Sequence, residues 1–117
     1  MVLDSFKLSG KNALVTGSHK GLGAAIAIAL AQAGANIALH GRSADPEETA
    51  KSVRASGVKA ILLRGDVSDP QVCESMVEKT VRDLGSIDIL VNNAGIIRRA
   101  PAADYSMKDW NDVIELT

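Results

Sequence analysis

Four short apolar runs alternate with helical patterns along this chain, and glycines punctuate the joins. Residues 12–15, 36–40, 59–64 and 87–91 read as strands. The last holds an unbroken Ile89-Leu90-Val91 run, which suits a strand covered on both faces. Residues 22–33 read as a helix with Leu22, Ile26, Ala29, Leu30 and Ala33 on one stripe and Gly34 just past its end. Its other face is almost all alanine, which lets a helix lie close against a sheet. A second helix has Asp45 as N-cap, Pro46 at its first position and Glu48 completing a capping box, and runs to Ser56 before Gly57. A third starts at Ser68-Asp69-Pro70-Gln71, presents Val72, Met76, Val77, Val81 and Leu84, and stops at Gly85. Ser106 can cap a last helix containing Trp110, Val113, Ile114 and Leu116. Such alternation requires a parallel sheet, because antiparallel hairpins need no helix between strands. Right-handed crossovers then place helices on both faces. One domain is predicted over residues 1–117: half of a doubly wound α/β sheet.

The most informative segment joins the first strand to the first helix: Thr16-Gly17-Ser18-His19-Lys20-Gly21-Leu22-Gly23. Gly17 can turn the chain sharply off the strand, Gly21 leaves the backbone open to a pyrophosphate, and Gly23 lets the helix pack closely. The helix start offers unpaired N–H groups and a partial positive charge to phosphates. A glycine-rich turn without a ligand is the alternative, but the strand–loop–helix setting favours dinucleotide binding. The spacing is Gly-x-x-x-Gly-x-Gly, unlike the Gly-x-Gly-x-x-Gly of many dehydrogenases.

Composition narrows the partners. With 13 basic and 14 acidic side chains the chain offers no basic stripe for nucleic acid or a membrane surface, and 3% aromatics are too few for base stacking. Residues 24–31, the longest apolar run, fall far short of the roughly 20 that a membrane span needs. Without a signal-peptide core the chain is expected to be cytoplasmic, and its single cysteine, Cys73, fits a reducing compartment. Cys73 lies in a helix turn and is read as a small hydrophobe rather than a nucleophile. His19 and His40 have no ligand cluster at metal spacing, so no metal site is expected.

Three elements in order, TGSHKGLG at 16–23, Asp66-Val67, and Asn92-Asn93-Ala94-Gly95, resemble the short-chain dehydrogenase/reductase family, over residues 10–116. More narrowly, NNAGIIRRAPA followed by DYSMKDWNDVIEL resembles its branch of 2-deoxy-D-gluconate 3-dehydrogenases and 2-dehydro-3-deoxy-D-gluconate 5-dehydrogenases. The resemblance implies a Rossmann-like sheet of order 3-2-1-4 and an NAD(P)-dependent oxidoreductase interconverting a secondary alcohol and ketone of a sugar acid. It also implies cofactor contacts from Gly17, Ser18, Lys20, Gly21, Leu22, Gly23, Arg42, Asp66, Val67, Asn93, Ala94 and Gly95. Asp66 would bond the adenine amino group, Val67 would contact the ring, and Gly95 would leave room for the ribose. Asn92 and Asn93 can also tie strands together through backbone bonds.

Gly41 stands where NAD-preferring members carry Asp, and Arg42 beside it can hold a 2′-phosphate, with Lys20 adding charge. Charge logic thus slightly favours NADP, while the resembled branch often uses NAD, so both stay open. Arg42 and Lys20 are otherwise solvated cations. Arg98 and Arg99 are candidates for a sugar-acid carboxylate, or solvated loop cations.

The Tyr-x-x-x-Lys pair and upstream Ser that the resemblance implies for proton exchange do not occur in these 117 residues. Tyr105 precedes Lys108 by three positions rather than four, and Thr117 stands near the family's catalytic Asn. The chain alone is therefore expected to be inactive, a cofactor-binding half truncated before its catalytic half. A fourth strand at the sheet edge invites pairing with another copy, so a homo-oligomer or completion by association is expected. The alternative is a non-catalytic nucleotide-binding or association module.

Overall fold

The computed structural model describes residues 7–93. In chain order the elements are β1 (Asn12–Val15), α1 (Gly21–Gln32), β2 (Asn36–Gly41), α2 (Glu47–Arg54), β3 (Ala60–Arg64), α3 (Pro70–Leu84) and β4 (Ile89–Val91). All strand pairs are parallel, in the order β3-β2-β1-β4. This is the expected topology, and the two-residue period of the strands divides the core in two. Ala13, Val15, Ile37 and Leu39 face α1 and α2, meeting Ala27, Ala31, Ala50 and Val53. Leu14, Ala38, Leu63 and Leu90 face the other way, onto Met76 of α3. Leu90 belongs to one layer while Ile89 and Val91 pack against the other, so β4 serves both faces as its apolar run suggested.

The alanine face of α1 is the buried one, through Gly23, Ala27 and Ala31 at a spacing of four. Small side chains let the helix axis approach the sheet. Ile26 and Leu30 flank that contact at its margin, and Leu22 is 67% exposed.

Three local readings are corrected. The capping box at α2 does not form: Pro46 occupies the N-cap position with no side-chain cap, and the helix starts at Glu47. The Asp45 carboxylate instead pairs with Arg64 Nη1 at 3.4 Å, and Glu48 pairs with Lys51. The helix also ends at Arg54, before the turn at Gly57. In α3 the Asp69 cap accepts from Gln71 N at 2.9 Å and Gly85 closes the helix in the left-handed region, both as expected. Val81, however, is 43% exposed while Thr80 is buried, because the Thr80 hydroxyl donates to the Met76 carbonyl at 2.7 Å and so enters the core satisfied. Finally, β4 begins at Ile89 rather than 87. The Asp88 carboxylate accepts the Asn12 N–H at 2.9 Å, taking the donor that a longer ladder would have used.

The amino ends of the strands are closed by Asn12, whose side chain donates to Leu84 O and Ser86 Oγ and accepts from Asn36 Nδ2. The carboxyl ends open onto the glycine bend. Open α/β sheets bind ligands at that edge.

Candidate functional site at the carboxyl edge of the sheet

The bend from Gly17 to Gly23 leaves β1 and starts α1, bonding the end of β2 through His40 and the chain leaving β4 through Asn93. Lys20 takes an extended conformation at the N-cap position, makes no side-chain cap, and no acidic residue occupies the first turn of α1. The first N–H groups of an α-helix have no intrahelical partner, and among the described residues no side chain claims them. Gly21 follows with φ +62°, and a Cβ added there would meet open space. The left-handed backbone and the open space together make this the position that can bring main chain up to a ligand. Gly23 is the opposite case. A Cβ there would collide with the Gly17 carbonyl and would lie 2.7 Å from Asn93 Nδ2. The expected close approach is thus to the bend and to the chain leaving β4, more than to the strand itself.

The supporting bonds run sideways between strand ends. Thr16 donates its N–H to Val91 O at 2.9 Å and its hydroxyl to Asn92 Oδ1 at 3.0 Å, while that hydroxyl accepts from Asn93 N at 2.8 Å. Asn93 Nδ2 reaches Gly17 O at 3.5 Å. Asn92 and Asn93 therefore tie β4 to β1 and to the bend, the strand-tying part of their expected work. Ser18, expected at the cofactor, is fully buried. Its hydroxyl donates to Val15 O and accepts from His40 N, each at 2.8 Å, and its N–H donates to His40 O. Its side chain fastens the bend to β2 and presents no polar group outward.

His40 went unrecognised in the sequence, where it was weighed only as a metal ligand. It is 1% exposed at the end of β2, with Nδ1 accepting from Gly17 N at 2.9 Å and Nε2 at 2.7 Å from Gly65 O. The available signal was a lone imidazole in the apolar run of residues 36–41, one strand from a glycine bend.

Asp66 follows β3. Its Oδ1 accepts both Ser68 N and Ser68 Oγ, and its Oδ2 accepts Arg42 Nη2 at 3.2 Å. The two Ser68 donors first, and then Arg42, hold the carboxyl below the ordinary carboxylate range. Val67 is half-buried beside it, and its carbonyl accepts from Cys73 Sγ at 3.0 Å. Cys73 is itself half-buried, as a small hydrophobe with a weak donor would be. Arg42 and Lys20 are exposed around the same edge, and the exposed Leu22 adds an apolar side chain at the start of α1. Gly41 has a steric reason beyond any charge preference: a Cβ would run into the Ala44 carbonyl. Ala94, Gly95, Arg98, Arg99, Tyr105, Thr117 and the last expected helix lie outside the described residues. Among the described residues no group of three His, Cys, Asp or Glu side chains is placed to hold a metal ion, and no helix is long and apolar enough to cross a membrane.

Residues 11–117 match the family model for short chain dehydrogenase. The chain belongs to the short-chain dehydrogenase family. It is 46% identical over 116 residues to a 2-dehydro-3-deoxy-D-gluconate 5-dehydrogenase of Dickeya dadantii, covering 99% of this chain and 46% of that protein. It is likewise 46% identical to a gluconate 5-dehydrogenase of Gluconobacter oxydans, covering 95% of this chain and 44% of the relative. Among solved structures, a short-chain type dehydrogenase/reductase from Mycobacterium marinum superposes with a TM-score of 0.75 at 39% identity, over 94% of this chain and 45% of that one. The chain thus spans less than half the length of these relatives. Family and fold together imply binding of NAD or NADP at the carboxyl edge.

Proposed function

We propose that these residues form the cofactor-binding part of an NADP-dependent oxidoreductase that interconverts a secondary alcohol and a ketone on a gluconate-type sugar acid. The observation that carries the reading is the uncapped start of α1 beneath Gly21, where main-chain donors, a positive helix pole and open space coincide. Those N–H groups would take the diphosphate, with Lys20 nearby. When bound, the nicotinamide dinucleotide supplies the hydride acceptor or donor. The chain's own residues bind and orient it.

Asp66 and Arg42 would hold the adenosine half. An ionised carboxylate offers roughly four acceptor sites, and Ser68 and Arg42 occupy three of them. One remains for the adenine amino group. Arg42 rests on Asp66 with 72% of its side chain exposed, and an exposed pair of this kind is worth only about 0–1 kcal/mol. Little therefore opposes turning the guanidinium toward a 2′-phosphate, which offers a bidentate partner. The steric block at Gly41 supports the same choice, since no acid can stand there to hold a 2′-hydroxyl without moving the loop at Ala44.

Titration of the chain with NADP and NAD tests this reading. Arg42→Ala is expected to weaken NADP binding about ten- to a hundredfold, the scale of a lost charged hydrogen bond, and to change NAD binding by less than about threefold. Equal losses for both would remove Arg42 from cofactor choice, and no binding of either would end the dinucleotide reading.

The sugar-acid assignment rests on the two relatives named as gluconate-type dehydrogenases. Because these 117 residues lack a Tyr-x-x-x-Lys pair, the chain alone is expected to bind cofactor without turnover. Fused to the remainder of the Dickeya relative, it is expected to oxidise gluconate-type acids in preference to uncharged secondary alcohols, followed by nicotinamide absorbance. Equal rates on uncharged alcohols would exclude the sugar acid as the preferred substrate.

A further inference from the structure

We propose that His40 is a positioning residue whose neutral ring holds the glycine bend in its ligand-ready shape, so that protonating it releases the bend and weakens dinucleotide binding. The proposal rests on the dinucleotide reading above. Its basis is geometric. A backbone N–H can only donate, so the 2.9 Å bond from Gly17 N requires an unprotonated Nδ1. Nε2 then carries the ring proton and donates to Gly65 O at 2.7 Å. One imidazole thereby bridges the exits of β1 and β3 from the end of β2. It bonds two glycines in the left-handed region, Gly17 at φ +60° and Gly65 at φ +146°, whose backbones are the least self-constrained at this edge. Gly17 opens the bend that faces the diphosphate, and Gly65 immediately precedes Asp66. The ring therefore sets the separation of the two places where the dinucleotide would be held.

His40 N donates to Ser18 Oγ at 2.8 Å and His40 O accepts from Ser18 N at 2.8 Å, which clamps its backbone to the bend. A proton on Nδ1 would set two donors against each other at the Gly17 bond, and with Ser18 held to the His40 backbone the strain falls on the Gly17 peptide that opens the bend. The titratable groups facing the ring are His19 from the bend and Asp66 after β3, with Arg42 after β2 on the far side of Asp66. Asp66 is committed to Ser68 and Arg42 and makes no hydrogen bond to the ring, so among the described residues no carboxylate receives a proton at Nδ1. Burial pushes the His40 pKa below its ordinary value, with His19 adding to the fall and the Gly65 carbonyl and Asp66 opposing it. The sign follows. The unfolded ring takes up a proton near about pH 6.5 and the folded ring only below that, so the stabilisation is complete above about 6.5 and is lost as pH falls through the folded value.

The test is calorimetric titration with NAD, whose phosphates do not titrate near neutrality, on the chain and two variants at about pH 7.5 and about pH 5.5. For the unsubstituted chain, affinity is expected to fall several-fold on acidification, with about tenfold as the ceiling because the folded ring takes up its proton only below about pH 6.5. His40→Asn keeps an acceptor for Gly17 that does not titrate, and its affinity is expected to change by less than about twofold. His40→Phe fills the space without an acceptor and is expected to bind weakly at both pH values. Circular dichroism at both pH values is expected to show an unchanged fold. A pH profile of the unsubstituted chain that parallels His40→Asn overturns the proposal while leaving the dinucleotide reading intact. Loss of the helical signal at the lower pH also overturns it, since general unfolding then explains the fall. No binding by the unsubstituted chain at either pH overturns both.

Discussion

Gly23→Ala is expected to cost about ten- to a hundredfold in dinucleotide affinity, because the added methyl would enter space already filled by main chain. The Gly17 carbonyl lies within collision distance and Asn93 Nδ2 is 2.7 Å away. The Gly17 carbonyl is main chain and cannot swing aside, whereas the Asn93 amide is a side-chain end that can. Gly17 N is bonded to His40, and Asn93 is held through its N–H to Thr16. Overpacking at a site that cannot collapse outward costs about 1–3 kcal/mol. The cheapest relief is to push the start of α1 away from the bend, which separates the very N–H groups that would face the diphosphate. Calorimetric titration reads the loss, and a denaturation curve on the same variant reads the strain left in the fold. Affinity within about twofold of the unsubstituted chain would show that the bend does not hold the ligand. Gly21→Ala makes a useful contrast: it meets no atom, so any loss there comes from its positive φ and from crowding the ligand.

The largest stability loss is expected from Ile37→Ala. Ile37 is fully buried in β2, with β1 and β3 on either side and Ala27, Ala31 and Val53 in the helical layer that packs on the same core. Ala13, Ala27, Ala31, Ala35 and Ala50 of the same buried cluster have no rotamer with which to fill a void. Truncation of a core isoleucine costs about 2–5 kcal/mol, and this site belongs in the upper part of that range. In a domain of this size each kcal/mol lowers Tm by roughly 4–8 °C. Urea denaturation is expected to show the midpoint falling with an unchanged slope. A loss below about 1 kcal/mol would mean that the helical layer can close over the cavity. By comparison, removing the exposed Arg42–Asp66 pair is expected to change stability by no more than about 1 kcal/mol.

The agreement between sequence and structure follows the range of the interactions involved. Asp69-Pro70 and Gly85 delimit α3 as read because cap, first residue and left-handed stop are all satisfied within a few residues of themselves. Asp45-Pro46 offered a comparable start for α2, but the helix begins one residue later, at Glu47, and the Asp45 carboxylate lies against Arg64 of β3. Val81 and Thr80 exchanged places for a related reason. Hydropathy ranks valine above threonine, but a hydroxyl bonded to its own helix enters the core at little cost. At the site, Gly21 and Gly23 were legible because each answers a local backbone demand. The burial of Ser18 and the bridging bonds of His40 were not, because both depend on β2 lying between β1 and β3.

From the sequence alone came the parallel α/β layering, the strand order implied by the family resemblance, and the placing of a glycine-rich bend at the head of α1. These follow from apolar period, chain length between strands and glycine spacing, all of which act along the chain. Only the tertiary structure decided which side chains face the ligand edge and which are spent holding it. A hydroxyl or imidazole bonds whatever strand end stands a few ångströms away, and that neighbour is set by sheet order rather than by adjacent residues.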